Sequence, residues 1–239
     1  MIFQNFGFNR QAVKAAAPAL TYVTSGLVLY WDTSVSASYP GSGSTIFDLS
    51  GQGNNGTLYN GVTFTTSPGI PTLAFTAASS QYVLGPTTGS SNLGAAGSDF
   101  TYIGLARYTD TSGNGRTLSA HNNWLLGGWN NSTENFFASG PQVTALGTGT
   151  NDTNWRYYHG TGDYPAGFYT YYINNTFKAD KTESGGAGPK GVALCTHQSG
   201  ASEFSDAQIP FVLLYNRVLT DAERTQNYDY FKSKFNVIT

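Results

Sequence analysis

The segment TIFDLSGQGNNGTLYNGVTF, at residues 45–64, decides between two fold classes. Its centre, GQGNNG at residues 51–56, fits the G-x-G-x-x-G spacing with which a glycine-rich turn and a following helix N-terminus hold a pyrophosphate. That mechanism requires a helix directly after the glycines, whereas the residues that follow are β-formers without a period of 3.6. The Asn-Gly pairs at 55–56 and 60–61 are typical of tight turns with positive φ. The segment therefore predicts a loop that leads into a hairpin, and no nucleotide site.

Composition favours many short strands over helices. Aromatic residues make up 15% of the 239 residues, charged residues only 11%, and glycine occupies 29 positions. This mixture is typical of strands joined by tight turns, and a chain of this length can bury a substantial core in one domain. Short β-forming segments follow one another without the fixed repeat of a solenoid or propeller. We therefore predict an all-β fold, a two-sheet antiparallel jelly-roll sandwich.

The two ends of the chain differ from this pattern. Residues 1–24 are predicted to form an N-terminal arm that precedes a jelly-roll domain at residues 25–239. Apolar side chains on an extended segment can fill pockets on a neighbouring subunit, and an arm that covers a sheet edge of its own domain is the alternative. The anchor candidates are Phe3, Phe6 and Phe8.

The segment LTDAERTQNYDYFKSKF, at residues 219–235, is typical of a helix. Thr220 and Glu223 form a T-x-x-E capping box. Three aromatic residues at i, i+3 and i+7 form one apolar stripe. We predict a helix at about residues 221–234 that packs on the sandwich.

Charge and cysteine usage exclude several function classes. The net charge of -2 and the pI near 5.8 offer no basic surface for phosphates, so we expect no nucleic-acid partner. Apolar runs stay far below the ~20 residues of a membrane-spanning helix, so we expect no membrane partner. The single cysteine, Cys195, cannot form an internal disulfide, and His121, His159 and His197 lack the spacing of zinc ligands.

Five motifs follow one another along the chain. They are LVLY at 27–30, DLSGQGNNG at 48–56, Trp155, YIN at 172–174 and YNRVLTDAE at 215–223. In this order they resemble the concanavalin A-like lectin/glucanase jelly-roll superfamily, in its laminin-G-like branch, of the kind found in phage structural proteins. The resemblance covers about residues 25–236. It implies that the glycine-rich loop is structural, with Asp48 accepting hydrogen bonds from turn amides.

Glucanases of this superfamily place carboxylates on one strand, in a Glu-x-Asp-x-Glu arrangement, because retaining hydrolysis needs two carboxyl groups about 5 Å apart. This sequence lacks that arrangement, and its 14 acidic residues are assigned to turns, termini or the final helix. We therefore predict that the protein is not an enzyme. The close acidic pairs are Asp180/Glu183, Glu203/Asp206 and Asp221/Glu223.

The resemblance also raises calcium as an alternative to the absence of any cofactor. Laminin-G-like and pentraxin-like proteins often bind calcium through loop oxygens, which suit a hard cation. However, ASSQYV at 78–83 stands where such proteins often carry an Asp-rich DGxxDY segment. We therefore expect no cofactor, and turn formation is the competing role of the candidate ligands. These are Asp48, Asp152 and Asp163.

Glycan binding needs exposed aromatic faces beside amides and hydroxyls. Two segments offer them: NNWLLGGWNNSTENFF at 122–137 and WRYYHGTGDYPAGFYTYY at 155–172. Alternate aromatics on strands are more often core residues, which is the competing interpretation. The candidates for a glycan site are Trp124, Trp129, Tyr157 and Tyr164.

We expect a non-catalytic structural protein of a phage virion, displayed on the capsid as decoration or on a tail or fibre. The superfamily acts mostly outside cells, yet the first residues lack the basic and apolar regions of a signal peptide. A virion protein reconciles the two, because it is assembled in the host cytoplasm and exposed after lysis. Its expected partners are other virion proteins through the arm, further copies of itself as a homo-oligomer, and surface glycans. A bacterial carbohydrate-binding lectin is the alternative, and a glycoside hydrolase is third.

Overall fold

The computed structural model describes residues 19–66, 69–86, 93, 98–121, 123–164, 166–186, 188–197 and 200–238. Within these residues the chain forms two antiparallel sheets and one C-terminal α-helix, α1, at Asp221–Phe235, so the predicted fold class is confirmed. The strands are β1 Leu27–Asp32, β2 Thr45–Ile46, β3 Gly56–Tyr59, β4 Thr63–Thr65, β5 Thr72–Phe75, β6 Tyr82–Leu84, β7 Phe100–Tyr108, β8 Leu118–Ala120, β9 Trp124–Trp129, β10 Ser132–Ala138, β11 Arg156–Asp163, β12 Phe168–Ile173, β13 Thr176–Thr182, β14 Ala193–Leu194 and β15 Ala207–Tyr215.

The two sheets face each other. Sheet A has eight strands in the order β13-β12-β11-β7-β15-β5-β4, and β1 also pairs with β15. Sheet B has seven strands in the order β10-β9-β8-β14-β6-β3-β2. Chain neighbours such as β6 and β7 therefore lie in different sheets, and the first strand pairs with the last, as a jelly-roll connectivity requires.

A first hydrophobic core lies between the sheets. Trp124 of sheet B is fully buried there, and its ring centroid lies 5.1 Å from that of Phe100 and 5.0 Å from that of Phe136. On β7, Phe100 faces this core, whereas Ile103 and Leu105 face the opposite side of sheet A. Strands β7 and β15 of sheet A are therefore apolar on both faces, which explains their continuous apolar runs.

A second core lies between the outer face of sheet A and α1. Phe231 and Phe235 stack on Phe211 of β15, with ring centroids 4.1 and 5.0 Å apart. The helix begins with the predicted capping box, in which the Glu223 N–H donates to Thr220 Oγ1 at 3.3 Å. Its predicted bounds are confirmed to within one residue. No helix in the described part of the chain is long and apolar enough to cross a membrane.

An ion pair fixes the end of α1 to sheet A. Lys234 Nζ lies 2.6 Å from Oδ2 of Asp32, which is fully buried at the end of β1. The Tyr30 hydroxyl donates to the same oxygen at 2.5 Å. The assignment of every acidic residue to a turn, a terminus or the final helix is therefore wrong for Asp32, because a distant lysine supplies the counter-charge that allows burial. It is also wrong for Glu134 and Asp180, which lie within β10 and β13.

The last residues of the arm contact the domain. Residues 19–24 lead into β1, and the Val23 N–H donates to Oδ1 of the buried Asn227 on α1 at 2.8 Å. The anchor candidates lie outside the described residues, so their anchoring role stays a prediction: Phe3, Phe6 and Phe8.

The glycine-rich loop has the structural role that the resemblance implies. Asp48 Oδ1 accepts from the N–H groups of Tyr30 and Ser50, both at 2.9 Å. Asp48 Oδ2 accepts from the Asn54 N–H at 2.9 Å. Strand β3 follows the loop, so the helix that a pyrophosphate site needs is absent from this segment.

One of the two predicted Asn-Gly turns forms. Asn60 and Gly61, with φ of 60° and 76°, connect β3 to β4. The turn predicted at residues 55–56 is wrong, because Gly56 opens β3. A Cβ at Gly56 would lie 2.7 Å from the Trp31 ring, so this glycine is required by packing.

Candidate binding site

The structure places the four aromatic candidates in different environments. Trp124 is fully buried between the sheets, and Tyr157 is fully buried beneath α1. Neither ring offers a face to solvent, as the competing core interpretation expected. Trp129 is half-buried on sheet B, where its Nε1–H donates to Glu203 at 3.2 Å. Only Tyr164, after β11 of sheet A, is well exposed among the four, and the candidates do not form one surface.

The asparagines beside Trp129 form a turn. Asn130 and Asn131 have φ of 49° and 63° and connect β9 to β10. Positive φ at both central positions is that of a type I′ hairpin turn, which asparagine tolerates better than most residues. Backbone geometry therefore explains these residues without a sugar ligand.

A cleft of about 280 Å³ lies on the outer face of sheet A, beside the start of α1. We call it the β11–β12 cleft, because alternate side chains of these two strands form its floor. Antiparallel pairing sets them in three rows across the strands: His159 with Tyr172, Thr161 with Thr170, and Asp163 with Phe168. The wall is completed by the segment before α1 and by its first turn: Val218, Leu219, Asp221 and Arg224.

The local sequence explains why this face of β11 is polar. In HGTGD, at residues 159–163, polar side chains alternate with glycines. A Cβ at Gly162 would lie 2.5 Å from the Phe100 ring, so the glycines face the tight core between the sheets. The polar side chains consequently face outward. This alternation, opposite FYTYY at 168–172, is the sequence signal that could have indicated the cleft.

His159 is a deeply buried polar group of the cleft, with 1% of its surface exposed. Burial, and then the positive charge of Arg224, lowers the pKa of His159 to about 3, so the imidazole is neutral at pH 7. Neither ring nitrogen has a hydrogen-bond partner in the described part of the chain. A neutral imidazole offers one donor and one acceptor, so it can bind a hydroxyl group in either role.

Arg224 covers one face of Tyr172. Its Cζ lies 4.1 Å from the ring centroid, and its Nη2 lies 3.2 Å from Asp221 Oδ1. Its Nη1 donates to the backbone and side-chain oxygens of Asn175. The guanidinium is therefore held in place, and its charge is partly balanced by Asp221.

Phe168 supplies the accessible aromatic face of the cleft. It is 40% exposed at the first position of β12. The row of Thr161 and Thr170 separates it from the row of His159 and Tyr172. Each threonine hydroxyl can donate and accept. The cleft thus combines an open ring with several hydrogen-bonding groups.

The three calcium candidates lie in separate segments of the chain. Asp48 is engaged by the turn amides described above. Asp152 accepts from Arg156 at 2.7 and 2.8 Å, which holds the pKa of Asp152 well below its usual range. Asp163 lies in the cleft, where it accepts from the Ala166 N–H at 3.3 Å. No group of three histidine, cysteine or acidic side chains within the described ranges could hold a metal ion, and calcium stays an untested alternative.

Two of the acidic pairs considered for catalysis have structural partners. Glu223 accepts from Arg217 at 2.6 and 2.8 Å, and this contact lowers the pKa of Glu223 to about 2. Glu203 Oε2 lies 2.5 Å from Arg116 Nε. Glu223 and Glu203 are therefore each held by an arginine in a structural ion pair.

Neither a protein-family model nor a curated protein matches the chain. Solved structures do match. The chain has the sandwich fold of toxin binding domains. The binding domain of Paraclostridial Mosquitocidal Protein 1 has a TM-score of 0.60 at 14% identity, over 87% of this chain and 53% of that one. A structure of botulinum neurotoxin type C, whose cell entry depends on interaction with two ganglioside molecules, has a TM-score of 0.60 at 14% identity, over 86% and 51%.

A third structure is the binding domain of botulinum neurotoxin DC in complex with SialylT, with a TM-score of 0.59 at 13% identity, over 87% of this chain and 51% of that one. The chain thus spans about half the length of these proteins. Identities this low show a shared fold alone. These three structures give no link to a phage particle.

Proposed function

We propose that this protein is a non-catalytic carbohydrate-binding domain whose sugar site is the β11–β12 cleft. The observation that carries the proposal is the set of cross-strand rows, which place the exposed Phe168 ring beside two threonine hydroxyls, a carboxylate and a neutral imidazole. A sugar ring has an apolar C–H face and hydroxyls at its edge, so it binds where such groups converge. The volume, about 280 Å³, is small for a ligand pocket and favours one or two sugar units.

Each residue has a defined role in this proposal. Phe168 stacks on the apolar face of the sugar. The Asp163 carboxylate accepts from sugar hydroxyls in charge-assisted hydrogen bonds, which are stronger than neutral ones. His159 binds a hydroxyl at the bottom of the cleft. The positive charge of Arg224 is already engaged by Asp221 and Tyr172, so the proposed ligand needs no negative charge.

The structural comparisons support a binding function by analogy. The matched proteins include binding domains, and two of the structures involve gangliosides or SialylT. Since the likeness concerns the fold alone, the chemistry of the cleft has to carry the proposal.

The test is a glycan array with the intact chain, followed by calorimetry with the tightest glycan. We expect Phe168→Ala and Asp163→Asn each to weaken affinity about tenfold, because each removes about 1.4 kcal/mol of stacking or hydrogen bonding. Phe47→Ala is the matched control, since Phe47 is 44% exposed beside β2 of the other sheet.

Two results would contradict the proposal. One is the absence of any glycan affinity in the intact chain. The other is a glycan that binds the two cleft variants as tightly as it binds the native chain. Release of reducing sugar from the bound glycan, lost in Asp163→Asn, would instead indicate a hydrolase.

Display on a virion stays a separate prediction, compatible with glycan binding. Its test is mass spectrometry of gradient-purified particles. Co-sedimentation in hundreds of copies would indicate capsid decoration, and a handful would indicate a tail or fibre. Absence from the particles would leave the lectin interpretation alone.

A further inference from the structure

A second cleft, of about 590 Å³, lies on the same face of sheet A, where the chain leaves α1 and β11 begins. We call it the Arg107 cleft. It shares no lining residue with the β11–β12 cleft, which lies at the start of the helix. The side chains used below are Arg107, Thr153, Asn154, Trp155 and Arg156.

One of the two arginines in this cleft is fully engaged. Arg156 donates to both carboxylate oxygens of Asp152, at 2.7 and 2.8 Å, and to Thr150 Oγ1 at 2.7 Å. This pair is neutral as a unit. It therefore contributes a wall to the cleft and little net charge.

Among the described residues, the other arginine has no acidic side chain as a partner. All 14 acidic side chains of the protein lie within the described residues, and none of them forms an ion pair with Arg107. Its Nε donates to the neutral amide oxygen of Gln208 at 2.8 Å, and its Cζ lies 5.0 Å from the ring centroid of Trp155. The guanidinium thus lies over an aromatic ring and is held there by a neutral amide.

The environment of Arg107 disfavours an unpaired charge. Burial lowers the pKa of Arg107, although a guanidinium stays charged at neutral pH. A half-buried charge without a counter-charge is uncommon, because desolvation is compensated by pairing in most proteins. Thr153 and Asn154, whose side chains carry a hydroxyl and an amide, line the same cleft.

We propose that the Arg107 cleft binds a carboxylate carried by a hydroxylated ring, as in a uronic acid sugar. The terminal nitrogens of the guanidinium match the two oxygens of a carboxylate in a bidentate pair. Thr153 and Asn154 bind hydroxyls of the same ring. This site goes beyond the proposed function, because it selects a negatively charged ligand and lies in a different cleft.

The experiment is titration of the intact chain with trigalacturonate. Binding is measured by calorimetry and by the shift of the Trp155 indole N–H signal in NMR spectra. We expect the neutral methyl ester of the same sugar to bind at least tenfold more weakly, because it lacks the anion. Acetate is the second control ligand, because it carries a carboxylate without a sugar ring. We expect it to bind far more weakly than trigalacturonate.

Variants locate the site. Arg107→Gln is expected to lose at least tenfold in affinity for trigalacturonate. Arg107→Lys is expected to lose less, because it keeps the positive charge and loses only the bidentate geometry of the guanidinium. Lys190→Gln is the matched control, since it removes one positive charge from an exposed position beside His121, outside this cleft.

The inference is overturned if trigalacturonate and its ester bind equally, or if Arg107→Gln binds like the native chain. Acetate binding as tight as that of trigalacturonate would overturn the sugar part. If Arg107→Gln does not fold, the Trp155 signal and the salt dependence of binding to the native chain decide the question. A neutral glycan that still binds the β11–β12 cleft would show that only this inference has failed.

Discussion

Single glycines leave space for large aromatic rings inside the sandwich. Gly56 lies against Trp31, and Gly162 lies against Phe100, each closer than a Cβ would allow. Glycine is needed at these positions for close approach, a role distinct from the turn role that composition indicates. The sequence alone does not distinguish a packing glycine from a turn glycine, because both occur between β-forming residues.

Gly56→Ala is expected to lower the free energy of unfolding by about 1–3 kcal/mol. The added Cβ would lie 2.7 Å from the Trp31 ring, so the buried indole has to move. Urea denaturation measures the change. Thr57→Ala, at the next and exposed position of β3, is the control. An unchanged midpoint for Gly56→Ala would show that Trp31 moves without cost.

His159 is expected to make stability depend on pH. The folded state holds the pKa of His159 at about 3, whereas an unfolded histidine titrates near 6.5. Between these values the unfolded chain binds the extra proton, so stability is complete above about pH 6.5 and falls as the pH drops. The slope contributed by this residue is at most about 1.4 kcal/mol per pH unit.

The measurement is denaturation of the native chain and of His159→Gln between pH 6.5 and pH 5. The variant is expected to show the smaller slope. His197→Gln is the control, because this histidine is less buried. Equal slopes for the native chain and His159→Gln would contradict the prediction.

At the scale of elements, local signals are sufficient for the helix and for one of the two Asn-Gly turns. The capping box of α1 and the turn at Asn60 form as predicted, since each depends on residues within one turn of the backbone. The side chains that meet across β11 and β12 were missed, although their alternation is visible in the sequence. Register across a hairpin is needed to see that they form rows.

Thr220→Ala is expected to destabilise the protein by about 1 kcal/mol. It removes the hydroxyl that accepts from the Glu223 N–H and leaves this amide without its cap. Thr220→Ser keeps the hydroxyl and serves as the control. Thermal unfolding measures both variants, and equal loss in the two would show that the hydroxyl is not the stabilising group.

At the scale of the whole molecule, one buried amide joins the two ends of the domain. Asn227 on α1 accepts from the Val23 N–H at 2.8 Å and donates to the Tyr215 hydroxyl of β15 at 3.1 Å. Tyr215 donates in turn to the Val23 carbonyl at 2.9 Å. Residues 19–24, the last strand and the helix are therefore coupled.

Asn227→Ala is expected to lower the free energy of unfolding by about 2–4 kcal/mol, because buried partners lose their hydrogen bonds. Hydrogen exchange should accelerate at residues 19–24 and in α1 more than in the strands of sheet B. Ser233→Ala, a change at an exposed position of the same helix, is the control. Uniform acceleration of hydrogen exchange across both sheets would show that the coupling is not confined to residues 19–24, the last strand and the helix.

The structural role of Asp48 was implied by the resemblance, whereas the sequence by itself determined the all-β class and the helix bounds. These follow from periodicity, capping and turn chemistry, which act between residues close in the chain. Only the tertiary structure decided which aromatic faces are buried, as for Trp124 and Tyr157, and which polar side chains share a cleft. The physical reason is that burial depends on what covers each face of a sheet, and here α1 and β11 meet from distant parts of the chain.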